Sequence, residues 1–171
     1  MGSVATSSGR CAAVGARRGL SAAVFAVFCL IAGSASAQTC RPDAIDIQTE
    51  ADPVRFQIEI ADTEAERAQG LMFRETMPAD HGMYFVYDRA DQIAFWMKNT
   101  PLPLDIIFIN RRGVVCGIAA NTTPFSEEHI PSGCAAQTVL EVNAGQAAAR
   151  GIQIGAPVRH GAILDPVWPC E

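Results

Sequence analysis

Residues Phe95 to Phe108, FWMKNTPLPLDIIF, place a lysine, an asparagine and an aspartate inside some of the most apolar sequence of the chain. A charge buried in such company is costly unless it is compensated, so Lys98 and Asp105 either satisfy each other in a structural network or line a site. If strands Ile93–Asn99 and Leu104–Ile109 pair as a hairpin about Thr100–Pro103, Lys98 stands opposite Asp105 and Trp96 opposite Ile107. Cross-strand pairs of opposite charge contribute roughly 0.2–1 kcal/mol and fix register.

The first 37 residues read as a secretory leader rather than as part of the fold. Arg10, Arg17 and Arg18 form a basic n-region, Leu20 to Gly33 an apolar h-region, and Ala35-Ser36-Ala37 a small-x-small cleavage site before Gln38. The apolar run is shorter than the ~20 residues that span a bilayer. The remaining 134 residues suit one domain with a real core. They hold all eighteen acids but only ten of the thirteen basic residues, a formal charge of −8. That balance argues against nucleic acid or anionic lipid as a partner, because both require a positive face. With no further apolar run of spanning length, no membrane insertion is expected after leader cleavage, and the location expected is periplasmic or secreted.

Four cysteines lie beyond the leader, Cys40, Cys116, Cys134 and Cys170. An even count in an oxidising compartment favours disulfides. Of the three connectivities, the favoured one is Cys40–Cys170, tying the termini, with Cys116–Cys134 closing a long loop. A metal site is the weaker reading: there is no Cys-x-x-Cys pair, and His81, His129 and His160 stand alone.

Residues 38–52 read as an extended polar arm, and 53–171 as a single β-rich domain. Val54, Phe56, Ile58 and Ile60 alternate with polar residues, a strand with one face buried. Thr63 and Glu66 carry a capping-box signature for a short helix that stops at Gly70. Met83–Tyr87 reads as a strand, Asp88–Asp91 as a turn, and Asn110–Gly113 as a hairpin turn before the strand Val114–Ala120. Asn121–Ala136 shows no period and reads as a long loop. Thr138–Val142 is a strand, Gln146–Arg150 a short helix between glycines, and Ile152–Val158 a last strand. The predicted architecture is mainly β (α+β): a largely antiparallel β-barrel or sandwich-like domain with two short helices.

Glu141 is the second candidate site residue. It shares a strand face with Val139 and Asn143, either a solvated outer face or a partly buried carboxylate tuned by Arg74 or Lys98. Arg74, after Leu71-Met72-Phe73, suits an arginine–carboxylate fork, structural or ligand-binding. His81 beside Asp80 suggests an acid/base pair, although a histidine in such a turn is ordinarily exposed. Met72, Met77, Met83 and Met97 read as core filler rather than copper ligands. No Gly-x-Ser-x-Gly, phosphate loop or dinucleotide fingerprint occurs, so no cofactor is expected.

Several blocks of the chain recur together in one family: Glu66-Arg67-Ala68-Gln69-Gly70-Leu71-Met72-Phe73-Arg74, His81-Gly82-Met83, Phe95-Trp96-Met97-Lys98-Asn99-Thr100, Pro103 to Phe108, Val139 to Gly145, and Gly151 to Gly155. In this order, across about Val54 to Val158, they resemble the uncharacterised prokaryotic family catalogued as domain of unknown function number 192. The resemblance implies a compact, mostly β domain with short helices, often exported, and carries no established activity or catalytic residue. Its polar motif residues here are Arg67, Arg74, Lys98, Asn99, Asp105 and Glu141.

The expectation is a binding module for a small or cell-envelope-derived ligand, using Arg74, Lys98, Asn99, Asp105 and Glu141, since cation and amide donors beside apolar walls suit an oxyanion or sugar hydroxyls. One alternative is a hydrolase or lyase with Glu141 or Asp105 as base. Another is a structural partner-binding domain that presents the Asn121–Ala136 loop.

Overall fold

A computed structural model describes residues 39–171; the leader expected over residues 1–37 lies outside the described residues. Seven strands form one curled, half-barrel sheet. In chain order they are β1 (Ala44–Ile47), β2 (Val54–Ala61), β3 (His81–Phe95), β4 (Leu104–Asn110), β5 (Val115–Ala119), β6 (Ile130–Asn143) and β7 (Val158–Arg159). Helices α1 (Glu64–Gln69) and α2 (Gln146–Ala149) complete the fold. The strand order is β5-β4-β6-β3-β2-β1-β7. All neighbours run antiparallel except β2 and β3, which are parallel. The mainly β expectation with two short helices therefore holds.

Side chains alternate across a strand, and here both faces of the central strands are covered. Tyr84, Ile107, Leu140 and Val142 join Ile45, Phe56 and Ile58 in one apolar cluster. Met83, Phe85, Ile106, Phe108 and Val139 face the other way and join Leu71, Met97 and Leu104 in a second. Glu141 lies between Leu140 and Val142, opposite Met83 on β3 and Ile106 on β4, so it belongs to the second face.

The parallel β2–β3 pair needs a crossover, and α1 supplies it. Its N-terminus is fixed by the expected capping box: Thr63 accepts from the Glu66 N–H, and the Glu66 carboxylate reaches back to the Thr63 N–H. Gly70 ends the helix at φ 49°.

The hairpin expected between residues 93–99 and 104–109 does not form. β6 lies between β3 and β4 and pairs with both, so Asp105 stands opposite Val142, not Lys98. Pro101 and Pro103 lack the N–H groups a ladder requires, and Asn99 turns the chain at φ 53°. Lys98 instead sits with its ammonium 5.0 Å from the Trp96 ring centroid.

Asp105 is fully buried and is compensated by backbone. One oxygen accepts the Asn121 N–H at 2.8 Å, just past β5, and the other accepts the Ala147 N–H at 2.8 Å, in the first turn of α2.

Four further expectations are corrected. The polar arm contributes β1, whose four residues are all buried. Its Asp46 accepts from Arg55 at 2.6 and 2.9 Å and from Arg159 at 2.9 Å, its register partners on either side. Burial pushes the Asp46 carboxyl up, but the two guanidiniums together outweigh it and hold it below its ordinary value. The turn at 88–91 is an irregularity within one continuous β3, where the register with β6 slips between Val86 and Asp91. The loop expected to Ala136 ends at Ile130, because residues 91–95 of β3 offer that segment a pairing partner. The last strand shrinks to Val158–Arg159, with an isolated bridge between Pro157 and Val114.

Both favoured disulfides form, Cys40–Cys170 and Cys116–Cys134. Among the described residues, no helix is long and apolar enough to cross a membrane.

Two substitutions test this frame by urea denaturation. Asp105→Ala strands the buried Ala147 N–H and the part-buried Asn121 N–H and is expected to cost about 2–3 kcal/mol. Gly82→Ala would set a Cβ 2.5 Å from the Glu141 carbonyl oxygen. It is expected to cost ~1–3 kcal/mol by forcing β3 and β6 apart.

Candidate functional site

The crossover helix does not lie flat on the sheet. Beneath it is a cavity of about 100 Å³. Its helix side is made by Arg67, Gly70 and the following Leu71 and Met72. Phe85 and Tyr87, two residues apart on β3, form one wall, and Phe95, Trp96 and Thr100 form the opposite rim. Glu141 of β6 reaches this space from the second face of the sheet.

Glu141 is the chemically informative group. The residue is only 4% exposed, and its carboxyl has no hydrogen-bond or ion-pair partner among the described residues. Burial alone pushes it from an ordinary 4.5 to about 8. At neutral pH it is therefore largely a neutral acid, able to donate one hydrogen bond and accept others.

Arg67 is the cation of the cavity. Nη1 donates to the Val86 carbonyl at 2.9 Å and also to the Asp62 carbonyl. Its guanidinium carbon lies 5.1 Å from the Tyr87 ring centroid. Tyr87 is half-buried, and burial raises its hydroxyl; Arg67 pulls it back, while Glu141 adds to the rise. Tyr87 thus feels both charges. Arg67 is not among the causes that move Glu141, so the two do not neutralise one another.

Of the five residues expected in a site, the cavity is lined by Glu141 alone. Lys98 and Asn99 sit on the connection whose Trp96 and Thr100 form the rim, and the Asn99 carbonyl accepts the Phe73 N–H at 2.8 Å. Arg74 makes its fork with Glu59 at the surface, Nη2 lying 2.8 Å from Oε2. Asp105 is enclosed between backbone N–H groups. Neither Arg74 nor Lys98 tunes Glu141, contrary to the sequence reading. His81, the first residue of β3, and Asp80, in the exposed turn before it, contact each other at 2.9 Å. No cluster of three or more His, Cys, Asp or Glu residues able to hold a metal occurs among the described residues.

Arg67, Tyr87, Trp96 and Thr100 were not singled out as site residues from sequence. A usable signal existed for two of them. Arg67 lies in the family motif behind the capping box, and Tyr87 follows Phe85 at strand spacing.

A protein of unknown function from Novosphingobium aromaticivorans DSM 12444, solved by crystallography, is similar at 40% identity and a TM-score of 0.66; the match covers 67% of this chain and 82% of that one. A candidate transcription regulator from Sinorhizobium meliloti 1021 is similar at 33% identity and a TM-score of 0.68, over 73% of this chain and 98% of that one. No curated protein matches the chain. The family model for DUF192, described as an uncharacterized ACR, matches residues 45–160, which takes in the cavity and every residue that lines it. The chain belongs to the DUF192 family.

Proposed function

We propose that this protein is an exported binding module for a small ligand, with the cavity beneath α1 as its site and Glu141 as the group that reads the ligand. One observation carries the reading: a carboxyl group buried among apolar side chains opens onto the cavity with no partner among the described residues. Leaving a buried polar group unmatched costs roughly 1–3 kcal/mol, a cost that a ligand relieves. Concave, largely aromatic sites with few polar groups are the usual form of small-molecule sites. The leader-like residues 1–37 and the two disulfides support export, since disulfides persist in oxidising compartments.

An enzymatic reading has one observation in its favour. A carboxyl titrating near neutrality suits general acid or base work. Against it, the cavity lining holds no serine, cysteine, histidine or lysine. Asp105 is a poor base, because both its oxygens are occupied and it has no solvent access. The formal charge of −8 beyond the leader does not favour direct contact with nucleic acid.

Stability should report the state of Glu141. Its folded value of about 8 lies above the ordinary 4.5, so the native state keeps a proton that the unfolded chain releases. The contribution is full below 4.5 and is lost as pH rises through 8. Between pH 6 and 9 the wild type should lose about 2–3 kcal/mol that Glu141→Gln does not lose, measured as denaturation midpoints across that range. Equal slopes for the two proteins would remove the buried acid from the argument.

The binding reading itself is tested by a thermal-shift screen of small molecules. Hits should raise the wild-type melting temperature, because ligand that binds only the folded state stabilises it by mass action. The same hits should act far more weakly on Glu141→Leu and should survive Lys98→Met. A hit unaffected by Glu141→Leu would place binding elsewhere, and substrate turnover by the wild type would favour the enzymatic reading.

A further inference from the structure

Glu141 and Arg67 border the same small cavity, but neither satisfies the other. The acid has no hydrogen-bond or ion-pair partner among the described residues. The arginine commits only Nη1, to two backbone carbonyls, and its Nη2 and Nε have no partner among the described residues. Four aromatic side chains, Phe85, Tyr87, Phe95 and Trp96, line the cavity with them.

We propose that the cavity binds a small zwitterion, with its ammonium group on the Glu141 carboxylate and its anionic group turned toward the free edge of the Arg67 guanidinium. This rests on the binding reading given above and specifies its ligand.

Each simpler ligand class leaves one group unmatched. A bare cation would meet Glu141 but would share the cavity with Arg67 and leave the guanidinium's open edge unmatched. A bare anion would suit Arg67 and could accept the one proton of the neutral Glu141, but it would leave that acid's carbonyl oxygen unmatched. A neutral apolar molecule would fill the space and leave both groups as they are. A zwitterion compensates both ends, and the rings between them favour a cation on their faces. A cavity of about 100 Å³ has room for a few heavy atoms, on the scale of a short α-amino acid.

The proton balance follows from the chemistry. The free protein holds Glu141 as the neutral acid; when an ammonium group docks, that proton leaves to solvent and the carboxylate and ammonium form an ion pair. Arg67 from α1 and Tyr87 from β3 are the other ionisable side chains lining the cavity. Burial pushes Tyr87 upward, away from the working range. Glu141 is thus the group that exchanges the proton near neutrality.

The test is isothermal titration at pH 7 with four probes: L-alanine, ethylamine, propionate and 1-propanol. L-Alanine should bind at least ten-fold more tightly than each of the other three. Glu141→Gln and Arg67→Gln, each checked for a cooperative melt, should weaken alanine at least ten-fold. In two buffers of different ionisation heat, alanine binding to the wild type should release close to one proton, and binding to Glu141→Gln none. If 1-propanol binds as tightly as alanine and responds to Glu141→Leu, the cavity is a binding site but not one for zwitterions, and only this inference falls. If none of the four probes binds while screening hits still depend on Glu141, the inference again falls alone. If no probe and no screening hit depends on Glu141, both readings fall.

Discussion

A single carboxylate ties β4 to the chain leaving β5 and to the start of α2. Asp105 sits at the start of β4, fully buried, and takes one backbone N–H from the chain leaving β5 and another from the first turn of α2. Those segments are 16 and 42 residues away in sequence. Because the Ala147 N–H would otherwise be an orphan in the interior and the buried acid would lose both donors, the acid and the two backbone segments hold one another in place. The position of α2, and of the connection that follows β5, depends on this contact. So does the path of residues 96–103, which must deliver β4 to the far side of β6.

The same sheet carries a second buried acid with the opposite fate. Glu141 is one strand away, next to Val142, the register partner of Asp105. Asp105 is compensated twice by backbone; Glu141 is left uncompensated at the edge of a cavity. Burial is common to both, so burial alone does not separate an architectural acid from one available to a ligand. The number of internal donors does. By that measure Asp105, Arg74 and Asp46 belong to the frame, each satisfied by a named partner, while Glu141 and the free edge of Arg67 do not.

Local features of the fold were legible in the sequence, and non-local ones were not. The alternation of Val54 to Ile60, the Thr63–Glu66 capping box with its Gly70 stop, and the helix between Gly145 and Gly151 each depend on residues a few positions apart, and each matches. The order β4-β6-β3 depends on a strand thirty-five residues beyond Phe95, and the apolar runs on either side of Pro101 looked like hairpin partners instead. The segment from Ile130 to Ala136 is strand because β3 runs on to Phe95 and offers its β6 edge a pairing partner there. For the site, Glu141 stood out because a charge interrupts an apolar strand. Its surroundings did not, because Arg67, Tyr87 and Trp96 reach it from three other elements.

The bond between Cys116 and Cys134 joins β5 to β6 across 18 residues, and the loop it closes bears on the cavity rim. Within that loop the Ser126 carbonyl accepts the Met97 N–H at 2.8 Å, and the Phe125 N–H donates to the Thr100 carbonyl at 3.1 Å, so it braces the connection that carries Trp96 and Thr100. Closing a loop of this size removes much of its freedom in the unfolded chain. Oxidation thus has a hand in shaping the mouth of a cavity that contains no sulfur chemistry of its own. A chain matured where thiols stay reduced would share every residue of this one and yet present a slacker doorway to whatever enters.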